Sequence, residues 1–221
     1  MRIEHQPGDY KGVDCDILAF PVFEDDVPAS PSLESLDKAT LGVVKSVLVS
    51  GEFKPEIHHS CKIHRPAGLR ARCLLLVGAG KRASFEPAKL REVAGVAVRI
   101  SRTGAGKRVA FLCRGPHPAG LAARVAAEGA IYADYETNIY KTRDKEPRDL
   151  NSFLLLFENN ARRDTVREGI RRGTITGDAT NYARTLANEP SNVLTPAEFA
   201  ERALAAGGQA GLDLRILERE D

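Results

Sequence analysis

The stretch Leu74-Leu75-Leu76-Val77-Gly78-Ala79-Gly80-Lys81, running into Phe85-Glu86-Pro87-Ala88-Lys89-Leu90-Arg91-Glu92-Val93-Ala94-Gly95, decides the fold class. Its apolar run is strand-sized, its glycines punctuate, and Pro87 suits the first turn of a helix that puts Leu90, Val93, Ala97 and Ile100 on one face. A strand, a tight turn and a helix make the repeating unit of an α/β domain.

Upstream, Asp16 to Phe23 reads as a strand, and 33–49 as a helix through Leu33, Leu36, Leu41, Val44 and Leu48. Ile57 to His64 and Arg72 to Val77 read as strands parted by a turn at Pro66 and Gly68. A hairpin there makes the sheet mixed rather than wholly parallel. Downstream come a turn over 103–106, a strand Val109 to Cys113, and a helix Gly120 to Tyr135 with Leu121, Val125, Tyr132 and Tyr135 inward. Tyr140 to Asn151, rich in charge and holding Pro147, reads as an exposed loop. Strand Phe153 to Phe157 closes the domain. Ala161 to Leu186 is polar at first and interrupted by Gly169, Gly173 and Gly177, which predicts one long or broken helix.

In the last segment Thr195 is placed to cap a helix, Pro196 to occupy its first position and Glu198 to complete a capping box. Phe199, Ala203 and Ala206 follow at helical spacing. Gly207 and Gly208 are expected to end the helix, and Leu212, Leu214 and Ile216 alternate like a half-buried strand.

The 221 residues, 43% of them hydrophobic, suffice for one large domain or for one domain and part of another. A net charge of +2 points neither to a dedicated nucleic-acid binder nor to an acidic tail. Apolar runs are too short to cross a membrane, and the amino terminus turns polar at once, unlike a secretory signal. Both favour a cytoplasmic setting. Cys15, Cys61, Cys73 and Cys113 form no C-x-x-C pair, and three fall in expected strands, so reduced thiols are expected.

Several patterns suggest sharper chemistry. Gly78-Ala79-Gly80 after a strand satisfies a loose dinucleotide fingerprint, but the acid expected after the next strand is replaced by Arg114, so a structural turn is the reading. Gly104-Ala105-Gly106-Lys107 lacks the first P-loop glycine and the hydroxyl after lysine, and it precedes a strand. His58, His59, Cys61 and His64 have zinc-ligand chemistry, yet strand alternation puts them on opposite faces. His117, between two prolines, reads as a loop residue. Glu128, within an apolar stripe, is expected to pair with an arginine or hold a loop amide. Arg163, Arg167 and Arg171, beside Asp164 and Glu168, read as a solvated helix face rather than a DNA contact.

Three blocks carry a family resemblance: Leu74 to Gly95; Glu128 to Tyr135 with Tyr140 and Lys141; and Leu186-Ala187-Asn188-Glu189-Pro190-Ser191-Asn192-Val193-Leu194-Thr195-Pro196, continuing to Glu201. In order and spacing they resemble the leucyl (cytosol) aminopeptidases. The resemblance implies a macrodomain-like α/β amino-terminal domain over 1–160, a linker helix over 161–187, and the start of a metallopeptidase domain over 188–221. It implies a parent that removes amino-terminal residues from peptides with two divalent metals, zinc, manganese or magnesium. It implies a cytoplasmic homohexamer, some of whose bacterial members bind DNA. The family's ligands and catalytic groups, including its N-T-D-A-E-G-R-L signature, map to no residue of 1–221, so no catalytic, cofactor-binding or metal residue is assigned. The expectation is an inactive amino-terminal portion whose tail, lacking packing partners, is poorly ordered or covered by another copy. The alternative function is a nucleotide- or nucleic-acid-binding α/β module, carried by Gly78 and Gly80.

Overall fold

The computed structural model describes all residues except 27–29, 103–105, 138–139, 144–149, 159–160 and 218–221. The centres of the expected 103–106 turn and 140–151 loop therefore lie outside the described residues.

Six strands form one sheet: β1 (Arg2–His5), β2 (Ile17–Phe23), β3 (Ser60–His64), β4 (Cys73–Gly80), β5 (Arg108–Cys113) and β6 (Ser152–Phe157), in the order β1-β6-β5-β2-β4-β3. All neighbours run parallel except β3, which returns antiparallel along β4. The hairpin and the mixed sheet are thus present as the sequence indicates. Strands β2 and β4 are buried along their whole length, which explains their unbroken apolar sequence: helices cover both faces. The edge strand β1 is an addition, because its alternating half-exposed residues resemble a polar leader.

One face carries α1 (Pro31–Ala39) and α2 (Val43–Ser50), packed through Leu33, Leu36 and Val44, with Phe53 just after α2, onto Leu18, Phe20, Leu74 and Leu76. The single helix expected over 33–49 is therefore two. Thr40 turns its hydroxyl back to the Leu36 and Asp37 carbonyls, and Leu41 and Gly42 both adopt positive φ, at 54° and 84°. The Asp37 carboxylate then accepts the Lys45 amide in the first turn of α2. Leu41, expected in the apolar stripe, is 79% exposed.

The other face carries α3 (Pro87–Arg102) and α4 (Ala119–Asp134). In α3, Leu90, Val93 and Ala97 are fully buried, as the spacing predicts. The expected phase of α4 is corrected in part: Val125 is buried as expected, but Leu121 and Tyr132 are exposed, and the buried residues are chiefly Ala122, Ala123, Ala126, Ala127, Ala130 and Ala133. Small side chains are needed because α4 lies close to two helices at once. A Cβ on Gly129 would overlap the Arg91 carbonyl of α3. Across the other side, Cβ atoms on Gly169 and Gly173 of α5 (Arg163–Asn188) would overlap the Gly120 and Arg124 carbonyls. Of the two expected forms, one long helix or a broken one, the long one forms, and its glycines let it dock.

The chain divides into two compact units, Met1–Ala179 and Thr180–Asp221, the divide falling inside α5. In the second unit Thr195 accepts the Glu198 amide at 3.2 Å and starts α6 (Pro196–Gln209). The Glu198 carboxylate pairs with Arg202 rather than returning to the cap. Helix α6 runs through Gly207 and Gly208 and stops before Gly211, which takes φ 70°. The strand expected over 212–217 does not form: these residues take no regular secondary structure. Instead Leu214 folds against Gly207, while Phe199, Leu204, Leu212 and Leu217 stay exposed.

Candidate functional site

Parallel strands deliver their carboxyl ends to one edge of the sheet, where α/β folds bind ligands in the crevice created by reversal of strand order. Here β2 is flanked by β4 and β5, and the crevice beyond these strands is filled by charge. Asp26, fully buried, follows β2 and Arg114, 4% exposed, follows β5; the Arg114 Nη1 donates to Asp26 Oδ2 at 2.6 Å. Arg114 also donates to the Pro21 carbonyl at 2.7 Å and to Glu158 at 2.9 Å. Asp26 accepts the Phe23 amide and the Arg82 guanidinium, both at 2.9 Å, and Arg82 lies over the Phe23 ring at 4.0 Å. Burial alone would push the Asp26 carboxyl up; the hydrogen bonds and charge of Arg114 outweigh it and hold the group below the usual carboxylate range. Every charge in this knot has a partner, as buried charges require, so the knot ties β2, β4 and β5 together. Sequence reasoning missed it because 88 residues separate Asp26 from Arg114.

The glycine turn is engaged by the chain's own backbone. Gly78 and Gly80 belong to β4, and their amides donate to the His59 and Pro55 carbonyls. A Cβ on Gly78 would overlap the Glu56 carbonyl, so this glycine admits a neighbouring backbone rather than a pyrophosphate.

The imidazole cluster is dispersed. Strand β3 begins at Ser60, not at Ile57, because His58 adopts φ 70°. His58 pairs with Glu92 at 3.0 Å, and His59 Nδ1 accepts the Lys54 amide while its ring stacks on Phe53. Among the described residues no three or more His, Cys, Asp or Glu side chains are grouped to hold a metal, so these residues do not fit the dinuclear centre that the family resemblance implies. His117 stacks on Phe85. Glu128 accepts from Arg91 at 3.0 Å, the pairing expected of it. On α5, Arg171 and Arg172 both bind Glu168, whose carboxyl their hydrogen bonds pull down to about 2. All four cysteines are free, and burial pushes the Cys15 thiol up to about 12.

Residues 19–144 match the family model described as the cytosol aminopeptidase family, N-terminal domain. That match covers more than half of the chain, which belongs to the cytosol aminopeptidase family. A probable cytosol aminopeptidase of Acidobacterium capsulatum is 36% identical over 198 residues, 87% of this chain and 38% of the relative. One of Solibacter usitatus is 30% identical over 220 residues, 100% of this chain and 42% of the relative. The chain thus spans about two-fifths of the length of the relatives it matches. Among solved structures, a tomato leucine aminopeptidase mutant superposes with a TM-score of 0.84 at 20% identity, covering 100% of this chain and 45% of that one. A bottromycin maturation enzyme in complex with Mn gives 0.66 at 24% identity, covering 90% and 37%. These two likenesses concern the fold.

Proposed function

We propose that residues 1–221 act as the amino-terminal, non-catalytic part of a cytoplasmic leucyl aminopeptidase, serving assembly and positioning. The observation that carries this reading is the match of 19–144 to the amino-terminal domain of the family, with relatives that are themselves named as aminopeptidases. Peptide hydrolysis by two divalent metals, zinc, manganese or magnesium, belongs in this reading to residues outside 1–221. The region 1–160 is the positioning domain, 161–187 the connecting helix, and 188–221 the entry to the peptidase domain, within a homohexameric parent. Exposed Phe199, Leu204 and Leu212 in the second unit are consistent with a surface made to be covered.

The test is turnover of leucine p-nitroanilide by the purified 221-residue chain with added manganese or zinc. We expect none above buffer. Activity that copurifies with the chain through several columns overturns the reading.

A further inference from the structure

The chain between β1 and β2 meets the turn between β3 and β4, where the Arg70 amide donates to the Lys11 carbonyl at 3.0 Å. Between these two segments and the start of β5 lies a cleft of about 440 Å³, within the range of small-molecule sites. Gly8 and Gly12 line it with backbone alone, and four charges stand on its walls: Asp9, Asp14, Arg70 and Arg108.

The four charges are unequally engaged. Arg108 and Asp14 contact each other at 3.5 Å, longer than a charge-assisted hydrogen bond. The Arg70 guanidinium and the Asp9 carboxylate have no ion partner among the described residues, and although both line the cleft they do not pair with each other. Asp9 is held in place, since its Oδ1 accepts the Lys11 amide at 3.1 Å and its carbonyl accepts the Gly12 amide at 3.1 Å. One cation and one anion are therefore kept apart across a shared space.

This pattern selects by charge. A simple anion meets two opposing carboxylates and a simple cation two opposing guanidiniums, whereas a molecule that carries both signs finds a partner for each. The guanidinium fork matches a carboxylate, and carboxylate oxygens accept from an ammonium.

We propose that this cleft binds a zwitterionic α-amino acid, its carboxylate on Arg70 and its ammonium on Asp9, with Arg108 and Asp14 as the neighbouring charges of each sign. An aminopeptidase releases free amino acids, so the purpose of the site, which rests on the function proposed above, is to sense product. The site shares no residue with the glycine turn at Gly78 or with the Asp26–Arg114 knot.

Heteronuclear NMR on the isotopically labelled 221-residue chain tests the proposal, with three probes: alanine, alaninamide, which lacks the carboxylate, and N-acetylalanine, which lacks the ammonium. Alanine at millimolar concentration is expected to shift the amides of Gly8, Asp9, Gly12 and Arg70 and to leave that of Gly78 in place. Each analogue is expected to bind about five- to tenfold more weakly, the loss of one hydrogen-bonded charge. Arg70→Gln is expected to remove the preference for alanine over alaninamide. Asp9→Asn keeps an oxygen for the Lys11 amide and is expected to remove the preference over N-acetylalanine. Both side chains are exposed, and unchanged amide positions away from the cleft show that the fold survives. No shift at tens of millimolar alanine, analogues that bind as well as alanine, or variants that leave the discrimination intact each overturn the proposal. Binding is read without turnover, so its failure is distinct from a failure of the peptidase reading.

Discussion

Replacing Arg114 with Met removes the charge at the centre of the crevice while keeping much of the side-chain volume. Four hydrogen bonds go with it: two to Asp26, one to the Pro21 carbonyl and one to Glu158. Asp26 stays fully buried, held by Arg82, the Phe23 amide and the Ser30 side chain. Removing one partner of a buried ion pair costs about 3 to 5 kcal/mol, and the surviving Arg82 bond places this case near about 3. For a chain of this size that lowers the Tm by about 6 to 12 °C. Urea denaturation followed by far-ultraviolet circular dichroism measures the loss directly. The double variant Arg114→Met with Asp26→Leu removes both charges and should cost less than the two single changes summed, by about 0.5 to 3 kcal/mol.

Acid supplies a second readout of the same pair. Because the folded Asp26 carboxyl titrates below its ordinary value, its contribution is present above the unfolded pKa of about 3.9 and is lost as pH falls through the lower folded value. Wild type should therefore lose stability below about pH 4, and Arg114→Met should flatten that acid limb. A cost under about 1 kcal/mol, or a double variant that is simply additive, refutes the account of a mutually dependent buried knot.

Two other substitutions test the backbone. Gly173→Ala would gain up to about 1 kcal/mol in a free helix, but here the added Cβ meets the Arg124 carbonyl, so a loss of about 1 to 3 kcal/mol is expected; a gain in the denaturation midpoint refutes the close docking of α5 on α4. Leu41→Gly gives up little burial and relieves the left-handed conformation at φ 54°, so stability should rise by about 1 kcal/mol and the midpoint with it, and a fall shows that the exposed side chain has a partner.

The legible parts of this fold are those where local pattern and tertiary role coincide. Strands β2, β4, β5 and β6 are apolar because they are covered on both faces, and the Leu90-Val93-Ala97 face of α3 meets the sheet as its spacing requires. The break between α1 and α2 was hidden, since Thr40, Leu41 and Gly42 change the helix direction through backbone conformation that no apolar spacing records. Strand β1 was hidden because pairing on one side leaves a polar sequence.

The error on α4 has a more general cause. Reading a helix by its largest apolar side chains puts Leu121 and Tyr132 inward, because burial is assumed to scale with size. Where a helix is flanked closely by two others, small residues take the tightest contacts, and Leu121 and Tyr132 fall on the exposed strip while Val125 and Ile131 stay buried. Ala123 and Ala127 face Gly169 and Gly173 of α5, while Gly129 meets α3 at Arg91, and a Cβ on Gly95 would lie 3.4 Å from the Gly129 carbonyl. Glycines four residues apart on α5 are the counterpart of the alanines four apart on α4. Taken as a pair, the two stretches identify a close helix contact that neither reveals alone. Glu128 fits the same geometry, its helix brought near enough to α3 for the carboxylate to reach Arg91 at 3.0 Å.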